Sequence, residues 1–113
     1  MRVTTNLEET KMPGIDINYF IRQANKLTEK IEQRKKELAE ELIEGTAGGL
    51  VTATVNGVQE LKTVRLDPKA LEDRAMLEDM VVAAINQAME NSRTKMKEEL
   101  EKVSGGVKIP GLT

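Results

Sequence analysis

The segment Leu42-Ile43-Glu44-Gly45-Thr46-Ala47-Gly48-Gly49-Leu50-Val51-Thr52-Ala53-Thr54-Val55-Asn56-Gly57 decides the fold. Its apolar period is two. Val51, Ala53 and Val55 point one way, and Leu50, Thr52 and Thr54 the other. β-Branched residues dominate it, as strands favour. Gly48-Gly49 suits a turn or bulge between a first strand at about 42–47 and a second at about 49–56. Asn56-Gly57 is a strong hairpin signal, because both central positions of a type I′ turn need positive φ. A third strand is expected at about 60–67. Val64 and Leu66 share a face there, and Leu61 breaks the alternation, which predicts a bulge near Lys62-Thr63 or an edge residue packed on the other side. Asp67-Pro68 closes the sheet.

Outward from the sheet, the period changes to 3.6. Before it, Ile17, Phe20, Ile21, Ala24, Leu27, Ile31, Leu38 and Leu42 recur at helical spacing behind Asp16, a good N-cap. The stripe is narrow, as in a helix that meets a partner along a seam. After the sheet, Asp73 caps a second helix. Its face of Met76, Leu77, Met80, Val81, Ala84, Ile85 and Ala88 is widened by Val82 and Ala83. So broad an apolar face predicts burial on two sides, the second against another chain. Ser104-Gly105-Gly106 ends this helix. The expected fold is α+β, in the order α-β-β-β-α, with a small three-stranded antiparallel sheet between two long helices. Residues 16–104 form one domain, 1–15 a flexible N-terminal arm broken by Pro13-Gly14, and 105–113 a flexible C-terminal tail.

Composition narrows the function. There are 113 residues, no Cys and no His. Disulfides, thiolate metal sites and His-based catalysis are therefore excluded. The paired carboxylates Glu40-Glu41 and Glu78-Asp79 sit on charged helix faces, where solvation is the ordinary state. Glu98, Glu99 and Glu101 lack a loop to complete a cation's oxygen shell. Gly48-Gly49 lacks the Gly-Lys-Ser/Thr of a phosphate loop. No catalytic residue, metal or cofactor is expected. Residues 1–10 lack a signal-like apolar region and no apolar run spans a bilayer, so a cytoplasmic protein with no membrane partner is expected.

Net charge is −2, from 17 basic and 19 acidic residues. Any nucleic-acid contact must come from local clustering. Arg22, Lys26, Lys30 and Arg34 are spaced by four on the first helix, with Lys35 and Lys36 beyond. Arg93, Lys95 and Lys97 form a second group, and Lys102 suits the dipole of its helix. Such rows can follow a phosphate backbone. Interleaved Glu29, Glu32, Glu37, Glu40 and Glu41 also fit a solvated, ion-paired face, which the residues alone favour. Without aromatics on the sheet, single-strand stacking is excluded. Any DNA bound would be duplex, contacted with little sequence preference.

The ordered motifs complete this reading. Glu44-Gly45, Gly48-Gly49-Leu50-Val51, Val55-Asn56-Gly57, Val64-Arg65-Leu66-Asp67-Pro68, Met76-Leu77-Glu78-Asp79 and Val82-Ala83-Ala84-Ile85-Asn86-Gln87-Ala88 resemble the YbaB/EbfC family of bacterial nucleoid-associated proteins. Gly105-Gly106 with Ile109-Pro110-Gly111 fits as well. The resemblance implies a tweezer-like homodimer, joined through sheets and second helices, that binds DNA in the nucleoid without catalysis. Leu50, Val51, Val55, Met76, Met80, Val81, Ala84 and Ile85 are the expected dimer contacts. Arg22, Lys26, Lys30, Arg34, Lys35, Lys36, Arg93, Lys95 and Lys97 are the expected DNA contacts, from charge placement alone. The first helix is more charged than the family pattern. The alternative function is a protein-interaction module whose projecting helices grip a protein partner.

Overall fold

The structure is a computed structural model and describes residues 16–105. The expected arm at 1–15 and all of the expected tail except Gly105 lie outside the described residues. The element order is α1 (Ile17–Ala39), β1 (Leu42–Ala47), β2 (Val51–Asn56), β3 (Leu61–Leu66), a 3-10 turn (Pro68–Glu72) and α2 (Arg74–Val103). The strands form one antiparallel sheet in the order β1-β2-β3. The three strands and two helices stand where the periodicity puts them.

The caps are the expected ones. The Asp16 carboxylate accepts the Tyr19 N–H at 3.2 Å, and that of Asp73 accepts the Met76 N–H at 3.1 Å. The expected bulge is also present. Thr54 pairs with Thr63 but Val55 pairs with Leu61, so Lys62 is the extra residue. That insertion returns Leu61 to the face of Val64 and Leu66.

Gly48-Gly49 makes the expected turn, but the start of β2 and the second hairpin differ from expectation. β2 begins at Val51 rather than 49, because Gly48 and Gly49 take the left-handed φ values of 57° and 69°. The Leu50 N–H closes that turn on the Ala47 carbonyl at 3.1 Å. The second hairpin does not turn on Asn56-Gly57. Its positive φ falls on Gln59, at 61°. Gly57 is instead required by a close approach. Its N–H donates to the Leu38 carbonyl at 2.8 Å, and a Cβ there would lie 2.5 Å from that oxygen.

Asn56 is 1% exposed and all its side-chain hydrogen-bonding capacity is used. Its Nδ2 donates to the Ala39 carbonyl at 3.1 Å and to Glu60 Oε1 at 2.7 Å. Its Oδ1 accepts the N–H groups of Val58 at 3.1 Å and Glu60 at 2.9 Å. The Asn56 carbonyl accepts the buried Ser92 hydroxyl of α2 at 2.6 Å, and that hydroxyl accepts Gln59 Nε2 at 3.0 Å. One knot therefore joins the end of α1, the β2–β3 hairpin and the middle of α2.

The core is the layer between the sheet and α2. Val51, Ala53, Val55, Ala84 and Ala88 are fully buried, with Ile43, Ala47, Leu77, Met80, Val81, Ile85 and Met89 packed against them. β1 runs unusually close to the helix. A Cβ on Gly45 would overlap the Ala88 amide and sit 2.6 Å from the Ala84 carbonyl. Ala84 and Ala88 are one turn apart, so two small residues face one glycine. The Asn91 amide then pins β1 from the next turn by donating to the Glu44 carbonyl at 3.0 Å. α2 lies chiefly over β1 and β2.

Gly45→Ala therefore forces strand and helix apart and should lower unfolding free energy by roughly 2–3 kcal/mol in urea titration. Gly49→Ala meets no neighbour and carries only the left-handed φ, about 1 kcal/mol. Asn56→Ala orphans the Ala39 carbonyl and two loop N–H groups and should cost on the order of 3 kcal/mol.

Candidate nucleic-acid interface

α1 and α2 run antiparallel past one another, with Leu38 beside Gly57 and Arg34 reaching Glu99. A groove lined by Glu29, Lys30, Gln33, Arg34, Glu37 and Val103 sets the end of α2 level with the fourth turn of α1. Residues 17–27 of α1 thus lie beyond α2, as an arm. At 1.5 Å per residue the stretch from Ile17 to Lys30 is about 20 Å long.

The expected row of bases divides in two on this helix. Arg22, Lys26 and Lys30 are exposed and make no ion pair among the described residues. They follow one another at four-residue spacing, about 6 Å apart along the axis. Arg22 lies about 160° round the helix from Phe20, opposite the apolar stripe, and Lys26 and Lys30 drift round its flank.

Arg34 belongs to something else. Its guanidinium bonds Glu37 at 2.9 Å, Glu41 at 3.3 Å and Glu99 at 3.1 Å. Glu99 in turn reaches Lys95 at 3.5 Å and Lys102 at 3.4 Å. The side chains of Arg34 and Glu99 are only 20% and 15% exposed. The network clasps α1 to α2 where the arm leaves the body. The hydrogen bond from Arg34 is the main cause that holds the Glu99 carboxyl below its ordinary value of 4.5, against partial burial and with help from Lys102. The Arg34 guanidinium is held more strongly protonated in turn, chiefly by Glu37.

The remaining expected contacts are mixed. Lys35 is half-buried and 4.0 Å from Glu32, and Arg93 pairs with Glu90 at 3.0 Å. Lys95 is held by Glu99. Lys36 and Lys97 are exposed, with no ion pair among the described residues. Lys62 on the β3 bulge and Lys69 in the 3-10 turn share that property, and charge clustering did not find them because each stands alone in sequence. Of the expected dimer contacts, Val51, Val55 and Ala84 are buried in the chain's own core. Met76 is exposed, and Leu50, Met80, Val81 and Ile85 are half-buried. Leu61, Val64 and Leu66 continue the helix-facing apolar layer beyond the shadow of α2, at 44%, 37% and 40% exposure.

Among the described residues no cluster of acidic side chains could hold a metal, and no helix is long and apolar enough to cross a membrane.

The clasp makes the fold acid-sensitive. A carboxyl whose pKa is lower folded than unfolded stabilises the fold above its unfolded pKa, and this is lost as pH falls through the folded value. The thermal midpoint of the wild type should therefore drop more steeply than that of Glu99→Gln below about pH 4.5. Parallel melting curves would reveal a clasp without effect.

The chain is similar to known proteins over most of its length. A nucleoid-associated protein of Myxococcus xanthus is 58% identical over 105 residues, 90% of this chain and all of that one. One from Anaeromyxobacter dehalogenans is 45% identical, covering 87% of this chain and 98% of its own. One from Caldanaerobacter subterraneus is 40% identical, covering 88% and 92%. The fold is also that of a crystal structure of an uncharacterised Helicobacter pylori protein, with a TM-score of 0.71 at 18% identity over 80% of this chain and 99% of the other. The model of the YbaB/EbfC DNA-binding family, whose members are not enzymes, matches residues 12–107, and the chain belongs to that family.

Proposed function

We propose that this protein binds duplex DNA in the bacterial nucleoid as a homodimer, with low sequence specificity, through the arms of α1. The observation that carries the proposal is the row Arg22, Lys26 and Lys30, three exposed bases with no ion pair among the described residues, on a helix that carries many acids. Family membership supports DNA as the ligand. The arm offers charge without a shaped pocket or base-reading side chains, which suits phosphate contact rather than sequence readout. Lys36 and Lys97 extend the positive surface towards the body. A role in organising the nucleoid or modulating transcription follows from low specificity.

The dimer is supported by β3. All six of its residues are exposed in the single chain, and β3 is an edge strand with an apolar face. Such an edge is normally covered. Leu61, Val64 and Leu66 present the surface on which a second copy would sit; Leu71, Met76 and Val82 are also exposed, and Leu50, Met80, Val81 and Ile85 half-buried. The same surface would set the two arms on one body and double their charge.

Titration of a labelled duplex at several salt concentrations tests the DNA reading. With three bases on each of two arms, affinity should fall about 10³-fold between about 50 and 200 mM salt. Lys26→Glu with Lys30→Glu should weaken binding to all sequences alike and flatten that slope by about four. Salt-independent binding, or none at micromolar protein, refutes it. Leu61→Asp with Val64→Asp should convert a dimer to a monomer in sedimentation. A monomeric wild type refutes the dimer.

A further inference from the structure

The apolar stripe of α1 follows a seven-residue repeat. Ile17, Ala24, Ile31 and Leu38 occupy one seam position (a), and Phe20 and Leu27 the other (d). The next two d positions are Arg34 and Glu41, which pair with one another in the clasp. The seam has two halves. Ile31 and Leu38, 8% and 0% exposed, are the buried residues of α1, which packs on α2 near buried Leu100. Ile17, Phe20, Ala24 and Leu27 continue the same seam beyond the end of α2. There Phe20 is 58% exposed and Ala24 is exposed, while Ile17, Ile21 and Leu27 are half-buried. Tyr19 is 50% exposed and lies edge-on to the Phe20 ring at 5.9 Å.

We infer that the arm tips associate with each other, the seam at residues 17–27 pairing antiparallel with the same seam of a second copy. Charges flanking the seam select both the occupant and its direction. Asp16, Gln23 and Lys30 stand at the g positions, and Ile21, Thr28 and Lys35 at the e positions. Parallel pairing sets g against e and opposes Lys30 with Lys35, like against like. Antiparallel pairing sets g against g. It places Asp16 opposite Lys30 at both ends, Gln23 against itself on the two-fold axis, and Ile21 against Ile21. The seam is complementary to itself in that one direction. Arg22 and Lys26, at f and c, stay on the outside and free for phosphate. Lys30, which has no ion pair among the described residues, faces Asp16 where two tips meet and phosphate where they do not.

The contact is small. Facing stripes of about three turns fall short of the ~1,200–2,000 Å² of a stable interface. It gains strength where copies are already held close, as on one DNA molecule. A tip contact is isologous, and so is a contact through β3. A chain carrying two different isologous interfaces assembles beyond the pair, into closed tetramers or open rows according to how the two axes meet. The arms would thus link neighbouring or facing DNA-bound dimers.

The chain has no Cys, so a single thiol reports the contact in the full-length protein. Under mild oxidation Gln23→Cys should form a disulfide between copies about tenfold faster than Asn18→Cys, because of these two positions 23 alone meets itself within disulfide reach. Equal rates overturn the inference. Sedimentation of the wild type at high concentration should show an assembly that Phe20→Asp with Leu27→Asp abolishes at unchanged helicity. An unchanged distribution, as when the chain's own ends cover the seam, overturns it too. The native mass of the Gln23→Cys product separates this contact from the dimer through β3. Four or more chains are expected if both exist and two if the tips alone associate. A β3 dimer with no tip cross-link leaves the dimer reading standing and removes this one.

Discussion

Every polar atom of the Asn56 side chain is buried and bonded, and the architecture turns about it. The sheet has only three strands and one covering helix, so apolar burial alone leaves α1 weakly tied to the body. Asn56 supplies the tie by taking an orphan carbonyl at the end of α1 as it shapes the β2–β3 loop. Ser92 draws the same backbone onto α2. Gly57 makes the junction possible, since any side chain there would strike Leu38. A buried amide with all four bonds made is directional in a way that a leucine is not, and it holds the helix exit at one angle.

From that junction outward, α1 takes three characters. At Leu38 and Ile31 it is a packed helix. At Arg34 it is held by charge, through a network that reaches Glu99 and its lysines. Beyond Lys30 it has no cover from α2. A helix of this kind separates its roles by face. Apolar residues lie on one side, Arg22 on the other, and Lys26 and Lys30 between them. The positive residues that a tally would count together, Arg22 to Lys36, are therefore not equivalent. Arg34 fixes the arm, while Arg22 and Lys26 ride on it. An acidic protein can still present a basic surface, because Arg34, Lys95 and Lys102 hold acids at the clasp, while Arg22, Lys26 and Lys30 make no ion pair among the described residues.

The body shows the complementary economy. Ala84 and Ala88 let α2 settle on Gly45, which brings helix and strand backbones together but makes the covered area narrow. The consequence appears on β3, where apolar side chains aimed at the helix layer find no helix above them. A sheet wider than its helix leaves an edge and an apolar margin on the same side. That margin and the seam on the arm are different surfaces. One lies on the body and the other at its far reach, so one chain can use both.

Much was legible in residue order. The switch of period from 3.6 to 2 and back placed every element. Asp16 and Asp73 marked the helix starts, and the misplaced Leu61 announced the bulge at Lys62, because each of these signals acts within a few residues. Asn56-Gly57 shows where that logic stops. The pair carries a strong local preference for a tight turn, yet tertiary contacts with Ala39, Leu38 and Ser92 used the amide and the missing Cβ for another purpose, and positive φ passed to Gln59. The same holds for charge. Sequence alone established which residues carry charge and how they are spaced. It could not separate Arg34 from Lys30, since Glu99 lies far along the chain and only folding brings it within 3.1 Å. Local periodicity determined the elements and their faces, because those depend on neighbours in the chain. Which bases stay free and which apolar residues stay uncovered was decided by the tertiary structure, because both depend on what a distant segment places beside them.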